Sequence, residues 1–262
     1  MTKEFYVQNH YTKIAKNYGL RSDSTMRDPF IRESEIDFII SCIYEFVSEQ
    51  QRFPTLIDCG CGNGNTLAVL RELFPEMELA GFEFNPDLLS LAQSRNIPNC
   101  EVTLGDIREN FGFDRYDMVL SERVIVNLHS RKQQLRALNN IRDALRSDGL
   151  YIMIESFESS LNELNAMIQE NNQSVMKASE HNFYIRPGVW INGLRLGFKE
   201  LIAPIPDNYL STYFVLTRVF HPMLRTKEEK RINNRLIKFF IDGLDQAAGD
   251  YSPIKFYLLK KE

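Results

Sequence analysis

The sequence predicts an α/β protein with a mostly parallel sheet of seven strands and helices on both faces, and three observations carry that expectation. Short β-branched or apolar runs alternate with amphipathic helical segments through the middle of the chain, the order that builds parallel strands joined by helical crossovers. A glycine-rich turn, Asp58-Cys59-Gly60-Cys61-Gly62-Asn63-Gly64, joins the first such run to the first such helix. At 262 residues, 44% hydrophobic and 25% charged, the chain has the balance of an ordinary folded domain with one main core.

Taken in order, residues 1–50 carry two helical patterns, Phe5–Tyr18 and Glu33–Glu49, joined by a polar stretch from Gly19 to Pro29. They read as an N-terminal helical cover over a core spanning 51–262. Strands are expected at Thr55–Asp58, Leu79–Phe84, Glu101–Leu104, Asp117–Leu120 and Leu150–Glu155, with helices Thr66–Phe74, Pro86–Asn96 and Arg131–Arg146 between them. The last helix places Leu135, Leu138, Ile141 and Leu145 on one stripe. Asp148-Gly149 then turns the chain into the fifth strand. Beyond it the pattern loosens: a helix Leu161–Gln169, a polar run Asn171–Glu180, a sixth strand Phe198–Ile205 and a closing seventh strand Ile254–Leu259. Residues 204–250, with a helix Lys227–Asp245, form an insertion longer than a hairpin needs, and are expected to be a substrate lid.

With 31 Lys and Arg against 35 Asp and Glu, the net charge is -4, so no global basic field attracts nucleic acid or an anionic membrane. The apolar stretch Ile36–Val47 contains Asp37 and Glu45 and falls short of the ~20 residues a spanning helix needs. The N-terminus lacks the apolar run of a signal peptide, and Cys42, Cys59, Cys61 and Cys100 suit a reducing compartment better than a disulfide scaffold. A cytoplasmic protein is expected, a monomer or homodimer acting on a small molecule. No metal site is expected, because Cys59 and Cys61 have no second Cys or His pair at ligand spacing.

The chemistry centres on the glycine turn. Glycines there permit positive φ and close approach of a ligand to the backbone, and the following helix offers free N–H groups. Glu83 ends the second strand 25 residues after Asp58, where a carboxylate can accept the ribose hydroxyls of a nucleoside. A dinucleotide such as NAD would also satisfy that arrangement. Against it, Asp58 stands just ahead of the first glycine, and a carboxylate there suits an amino-bearing ligand better than a pyrophosphate.

From Leu56 to Glu155 the chain resembles the class I S-adenosylmethionine (SAM) dependent methyltransferases, whose fold is Rossmann-like. The resemblance implies that Asp58 to Gly64 hold the methionyl part of SAM and Glu83 its ribose. It implies that Gly105-Asp106-Ile107 flank the adenine, with Asp106 accepting the exocyclic amino group. It sets Ser121-Glu122-Arg123-Val124 beside the reactive methyl. The expected cofactor contacts are Asp58, Cys59, Gly60, Gly62, Gly64, Glu83, Phe84, Asp106, Ile107 and Glu122; in the N-terminal cover, one of Arg32 and Arg27 is a candidate to grip the methionyl carboxylate through a bidentate pair, and Arg32 is preferred. A narrower resemblance, to methyltransferases of bacterial polysaccharide gene clusters, rests on Glu122 to Leu128, Ser211-Thr212-Tyr213-Phe214 with Arg218-Val219, and Tyr251 to Lys255; it implies a sugar acceptor.

Histidine, the usual base near neutral pH, occurs only at His10, His129, His181 and His221. His181 is preferred as general base, with Glu122 the other catalytic candidate, and His129 reads as a cap or solvent residue. Substrate contacts are expected from Arg123, Asn127, Tyr184 and Tyr213, and the aromatic set Tyr209, Tyr213, Phe214 and Phe220 as core or lid. The expected reaction moves a methyl group to an oxygen, in preference to a nitrogen, of a small polar metabolite or sugar. Two other readings stand beside it: closure of SAM on itself to azetidine-2-carboxylate and methylthioadenosine, and a non-catalytic SAM-binding module.

Overall fold

The computed structural model describes residues 3–224 and 235–262. Two helices lead the chain, α1 (Lys3–Tyr18) and α2 (Pro29–Gln50). The second starts four residues before the expected position because Asp28 caps it, accepting a hydrogen bond from the Ile31 N–H, and Pro29 occupies the first turn where no N–H partner is required. The core follows as β1 (Thr55–Cys59), α3 (Asn65–Leu73), β2 (Glu78–Glu83), α4 (Pro86–Ser94), β3 (Cys100–Leu104), β4 (Tyr116–Glu122), α5 (Arg131–Ala144) and β5 (Leu145–Ser156). Asn85 and Ser130 cap α4 and α5 with their side-chain oxygens. Then come α6 (Glu158–Glu170), α7 (Pro187–Leu194), β6 (Phe198–Glu200), α8 (Ser211–Val215), α9 (His221–Leu224), α10 (Arg235–Gly243) and β7 (Ile254–Lys261).

These strands form one sheet in the order β3-β2-β1-β4-β5-β7-β6. The first five are mutually parallel, whereas β7 runs antiparallel to both β5 and β6. The expected mostly parallel, seven-stranded α/β sheet of Rossmann-like type is the observed one. Its alternation shows the two-faced burial directly. Leu56, Met118, Leu120, Ile152 and Ile154 face a cluster with Phe38, Ile39, Ile43, Leu67 and Leu70. Ile57, Val119, Tyr151 and Met153 face another with Ala137, Leu138, Ile141 and Val189. Burying each such aliphatic side chain contributes about 2 kcal/mol, and the register cannot slip by one residue without exchanging the two faces.

Several boundaries differ from expectation, among them that of β5, which begins at Leu145 rather than Leu150 and so contains the Asp148-Gly149 pair expected to turn the chain into it. Helix α5 ends at Ala144, not Arg146, because Leu145 pairs with Tyr116 across the sheet. Strand β6 stops at Glu200; Leu201 still donates its N–H to the Leu258 carbonyl, but Pro204 and Pro206 beyond it have no N–H to give. Part of the expected helix Lys227–Asp245 lies outside the described residues, and the observed α10 begins at Arg235. A π-helical stretch, Leu216–Phe220, links α8 to α9. Among the described residues no helix is long and apolar enough to cross a membrane.

The strand order reverses between β1 and β4. Ligands of open α/β sheets bind outside the carboxyl ends of the strands at such a point, and β1, β2 and β4 end there in Asp58-Cys59, Glu83 and Glu122.

Candidate active site

At this switch point lies a cavity of about 320 Å³. Its floor is the turn after β1. Gly60 has φ +75°, and a Cβ there would stand 2.7 Å from the Val124 side chain; Gly62 has φ +57° and donates its N–H to Glu83 Oε2 at 2.8 Å. Only glycine meets both demands without strain. The other Glu83 oxygen accepts the Asn85 N–H at 2.8 Å. Burial raises the Glu83 carboxyl above the ordinary range, although the N–H groups of Asn85, Gly62 and Phe84 pull it back. Each oxygen keeps a lone pair for a further donor, which is what a ribose diol offers.

Asp58 is 2% exposed, and its Oδ1 has no hydrogen-bond partner. Burial, with the like charge of Glu122, pushes its carboxyl well above the ordinary range. A buried carboxylate left so would be costly unless a cation joins it. In the same cavity the Arg32 Nε is a buried donor without a partner. The pair offers one acceptor and one donor to a ligand carrying an ammonium and a carboxylate.

Glu122 is bound by the Arg32 and Arg123 guanidiniums and accepts from Thr66 Oγ1 at 3.1 Å. Arg123 in turn pairs with Glu35, which is fully buried on α2. Burial alone would raise the Glu122 carboxyl, but Arg32 and Arg123 outweigh it and hold it below the ordinary range. A carboxylate so engaged is a weak base, so the expected catalytic role of Glu122 does not fit its surroundings; a positioning role for Arg32 and Arg123 does. Arg123 itself has φ +58°, a sparsely populated conformation for a non-glycine residue of the kind that clusters at functional sites.

The loop after β4 is braced from below by a residue the sequence reading missed. Glu155, fully buried on β5, accepts the N–H groups of Val124, Ile125 and Val126 and the Ser121 hydroxyl, at 2.8 to 3.1 Å. Burial raises its carboxyl to about 7 against the pull of those donors. Helix α1 forms another wall that composition did not signal: Tyr11 accepts a hydrogen bond from Asn127 Nδ2 at 3.0 Å, and Gln8 and Thr12 accept from Asn85. Asp106 lines the cavity, but Arg108 grips both its oxygens, Nε to each at 2.9 Å.

Of the expected cofactor contacts, Asp58, Gly60, Gly62, Glu83, Phe84, Asp106, Ile107, Glu122 and Arg32 line this cavity. Cys59 and Gly64 do not. The Cys59 side chain faces the core on the opposite side of β1, and Gly64 packs against Ala92 on α4. Arg123 and Asn127 are present, as is His129, whose Nε2 is buried without a partner.

A second cavity of about 340 Å³ adjoins the first and contains His181 and Tyr184. His181 stacks on His10 at 3.8 Å, and burial together with the neighbouring imidazoles pushes it down to about 4. That disqualifies it as an efficient base for an alcohol. Tyr213 lines neither cavity. It is fully buried, and its hydroxyl donates to both oxygens of Asp28 at 2.7 and 2.6 Å. Within 204–250, Phe214 is the single described residue that reaches a cavity wall; Tyr209 and Phe220 do not. Among the described residues of 204–250, Leu210, Ser211, Thr212, Tyr213 and Phe214 are buried, whereas most of 235–250 is exposed.

A family model described as a methyltransferase domain matches residues 54–228. A malonyl-[acyl-carrier protein] O-methyltransferase of Bacillus cereus is 24% identical over 159 residues, covering 60% of this chain and 58% of that protein. A trans-aconitate 2-methyltransferase of Deinococcus radiodurans is 28% identical over 76 residues, 29% of each chain. The chain therefore spans well under two thirds of the curated relatives it matches. Among solved structures, the magnesium protoporphyrin IX methyltransferase of Synechocystis with bound S-adenosylhomocysteine (SAH) superposes with a TM-score of 0.61 at 10% identity, covering 99% of this chain and 100% of that one. That likeness is one of fold.

Proposed function

The chain belongs to the methyltransferase domain family, and from that premise we propose that it transfers the methyl group of SAM to an oxygen atom of a small acceptor. The observation that carries this reading is the paired vacancy of hydrogen bonds in one cavity, the Asp58 Oδ1 acceptor and the Arg32 Nε donor, beside the half-engaged carboxylate of Glu83. Asp58 would receive the ammonium of the methionyl group, Arg32 its carboxylate and Glu83 the ribose hydroxyls. Phe84 and Ile107 would flank the adenine, with Asp106 at its amino edge.

Bound SAM supplies a methyl group on a sulfonium that leaves readily. The protein's share is alignment and exclusion of water. Glu155 fixes the backbone of 124–126, and the Glu122, Arg32, Arg123 and Glu35 network sets the wall between cofactor and acceptor. Oxygen as the target draws support from the printed name of the Bacillus cereus relative, an O-methyltransferase.

Replacing Glu83 with Ala should weaken SAM binding a hundredfold or more, about 2.7 kcal/mol, and titration calorimetry reads it. Incubation with SAM alone separates the reactions. SAH that forms only when an acceptor is added supports methyl transfer, whereas methylthioadenosine without an acceptor would replace it with cyclisation. Binding with neither product would leave a SAM-binding module.

A further inference from the structure

The second cavity meets the first at Tyr11, Ser24, Thr25 and Arg123, which line both. Elements far apart in sequence enclose it: Ser156 at the end of β5, His181 and Tyr184 between α6 and α7, Phe214 on α8 and Ile254 on β7. Its volume is of the order that holds a small molecule. Among the described residues no Asp or Glu lines it, whereas two arginines do, Arg123 at the shared wall and Arg27 at the rim. Arg123 is charge-balanced by Glu35 and Glu122. Arg27 forms no salt bridge among the described residues: its guanidinium lies over the Tyr18 ring at 4.9 Å, and Asp23, which feels its charge, is itself paired with Arg21. The cavity therefore favours an anion and opposes an ammonium, which would face Arg27 with no carboxylate lining the cavity to receive it.

A hydroxyl acceptor would need a base, and this cavity holds none suited to the task. His181 is pushed down to about 4 by burial and its imidazole neighbours, and its ring partner His10 is lowered too, by burial and then by Arg27 and Lys13. Burial raises the Tyr11 phenol to about 12 and raises Tyr184 as well, so both keep their protons near neutral pH. A nucleophile that arrives already ionised needs none of these groups as a base.

From this charge pattern we infer that the acceptor is a small organic acid with two carboxylates, one held at the rim by Arg27 and the other presented at the Arg123 wall, where its oxygen is methylated. The inference rests on the methyltransferase reading above and names the acceptor class for it. A lone pair of the carboxylate oxygen forms the new O–CH3 bond while the S–CH3 bond breaks and its electron pair passes to sulfur. The products are a methyl ester and SAH, and no proton changes hands.

The test uses the full chain saturated with SAH, titrated calorimetrically with malonate, succinate, glutarate and adipate, and with the matching diamides as neutral controls. At least one diacid should bind with a Kd below about 1 mM and its diamide at least tenfold more weakly. Arg27→Gln should weaken that diacid about tenfold and leave SAH affinity within about twofold. With methyl-labelled SAM, the same diacid should take up label that mild alkali releases as methanol, the signature of an ester. Failure of every diacid to bind, equal binding of the diamide, or label stable to alkali would overturn the inference and leave SAM binding intact. Failure of SAH itself to bind would defeat the methyltransferase reading, and the acceptor assignment with it.

Discussion

Asp58 and Asp117 sit on neighbouring strands at opposite ends of the sheet, and their surroundings differ in every respect that matters to a carboxylate. Asp117, at the amino end of β4, accepts from Arg52 through both oxygens at 2.8 and 2.6 Å, from Arg146 at 3.1 Å, and from the Thr55 N–H and hydroxyl at 2.9 and 3.0 Å. Burial pushes its carboxyl up, but those donors outweigh it and hold it far below the ordinary range. Asp58, near the carboxyl end of β1, has an oxygen with no partner and a carboxyl raised well above that range by burial and by Glu122. One end of the sheet is finished by the protein itself. The other leaves an acceptor unpaired, which the proposed SAM site would use, at a cost in stability that functional sites commonly carry.

The contrast can be broken most sharply at Asp58. Asp58→Asn keeps the shape and removes the charge, so SAM affinity should fall at least a hundredfold, about 2.7 kcal/mol, while the melting temperature without ligand stays level or rises, since an unpaired buried carboxylate has gone. A fall in melting temperature with SAM affinity intact would make Asp58 a structural residue like its counterpart. Asp117→Ala should do the reverse. It strips Arg52 and Arg146 of their partner and leaves the Thr55 N–H unsatisfied, and since both arginines are about half exposed the loss should be about 2 to 3 kcal/mol. Denaturant titration measures it, and calorimetry should show SAM affinity unchanged.

The two ends should also respond oppositely to pH. Glu155 has its carboxyl raised to about 7 in the fold, so the folded state binds its proton more tightly than the unfolded chain does. Its contribution is therefore greatest in acid and is lost as pH rises through about 7. The loss between pH 5 and pH 7 amounts to about 2 kcal/mol, and Glu35, raised to about 7 by burial against the pull of Arg123, adds to it in the same direction. Asp117 is depressed, so its contribution holds above the ordinary carboxylate range and is lost only as pH falls below it. Glu155→Gln removes the titrating proton and keeps one acceptor oxygen; its plot of stability against pH should be flatter between pH 5 and pH 7 than that of the parent. An unchanged slope would assign the effect elsewhere.

What the sequence disclosed of the site follows from how local each requirement is. The turn at Gly60 and Gly62 demands positive φ within a few residues, and Glu83 sits where a strand must end, so both were legible from pattern and spacing. Glu155 was not. Its role depends on three N–H groups about 30 residues earlier in the chain, brought over it by the parallel pairing of β4 with β5. Tyr11 meets Asn127 across 116 residues, a contact that no periodicity encodes. The early start of α2 did leave a signal, Asp28 followed by Pro29, which is a capping pair. His181 looked like a base because the residue type titrates near neutrality, yet its proton affinity is set by burial and then by His10, a residue of α1 that only the fold places against it.

Tyr213 tests the comparison on its smallest scale, because the sequence assigned it to substrate and the structure ties it to the body of the fold. Its ring stacks on Phe30 at 4.5 Å, and its hydroxyl bonds the carboxylate that caps α2. In Tyr213→Phe the stacking surface remains and the hydroxyl is lost, leaving Asp28 with the Ile31 N–H and with Arg218 at 4.0 Å. Removing one such bond should cost about 1 kcal/mol, a fall of about 2 to 4 °C in melting temperature for a chain of this size, with SAM affinity and turnover of any accepted diacid within twofold of the parent. A tenfold fall in turnover at an unchanged melting temperature would return Tyr213 to the ligand end of the molecule, and α8 with it to the role of a lid. A small thermal loss with unaltered kinetics would instead fix α8 as a strut between the insertion and the first turn of α2.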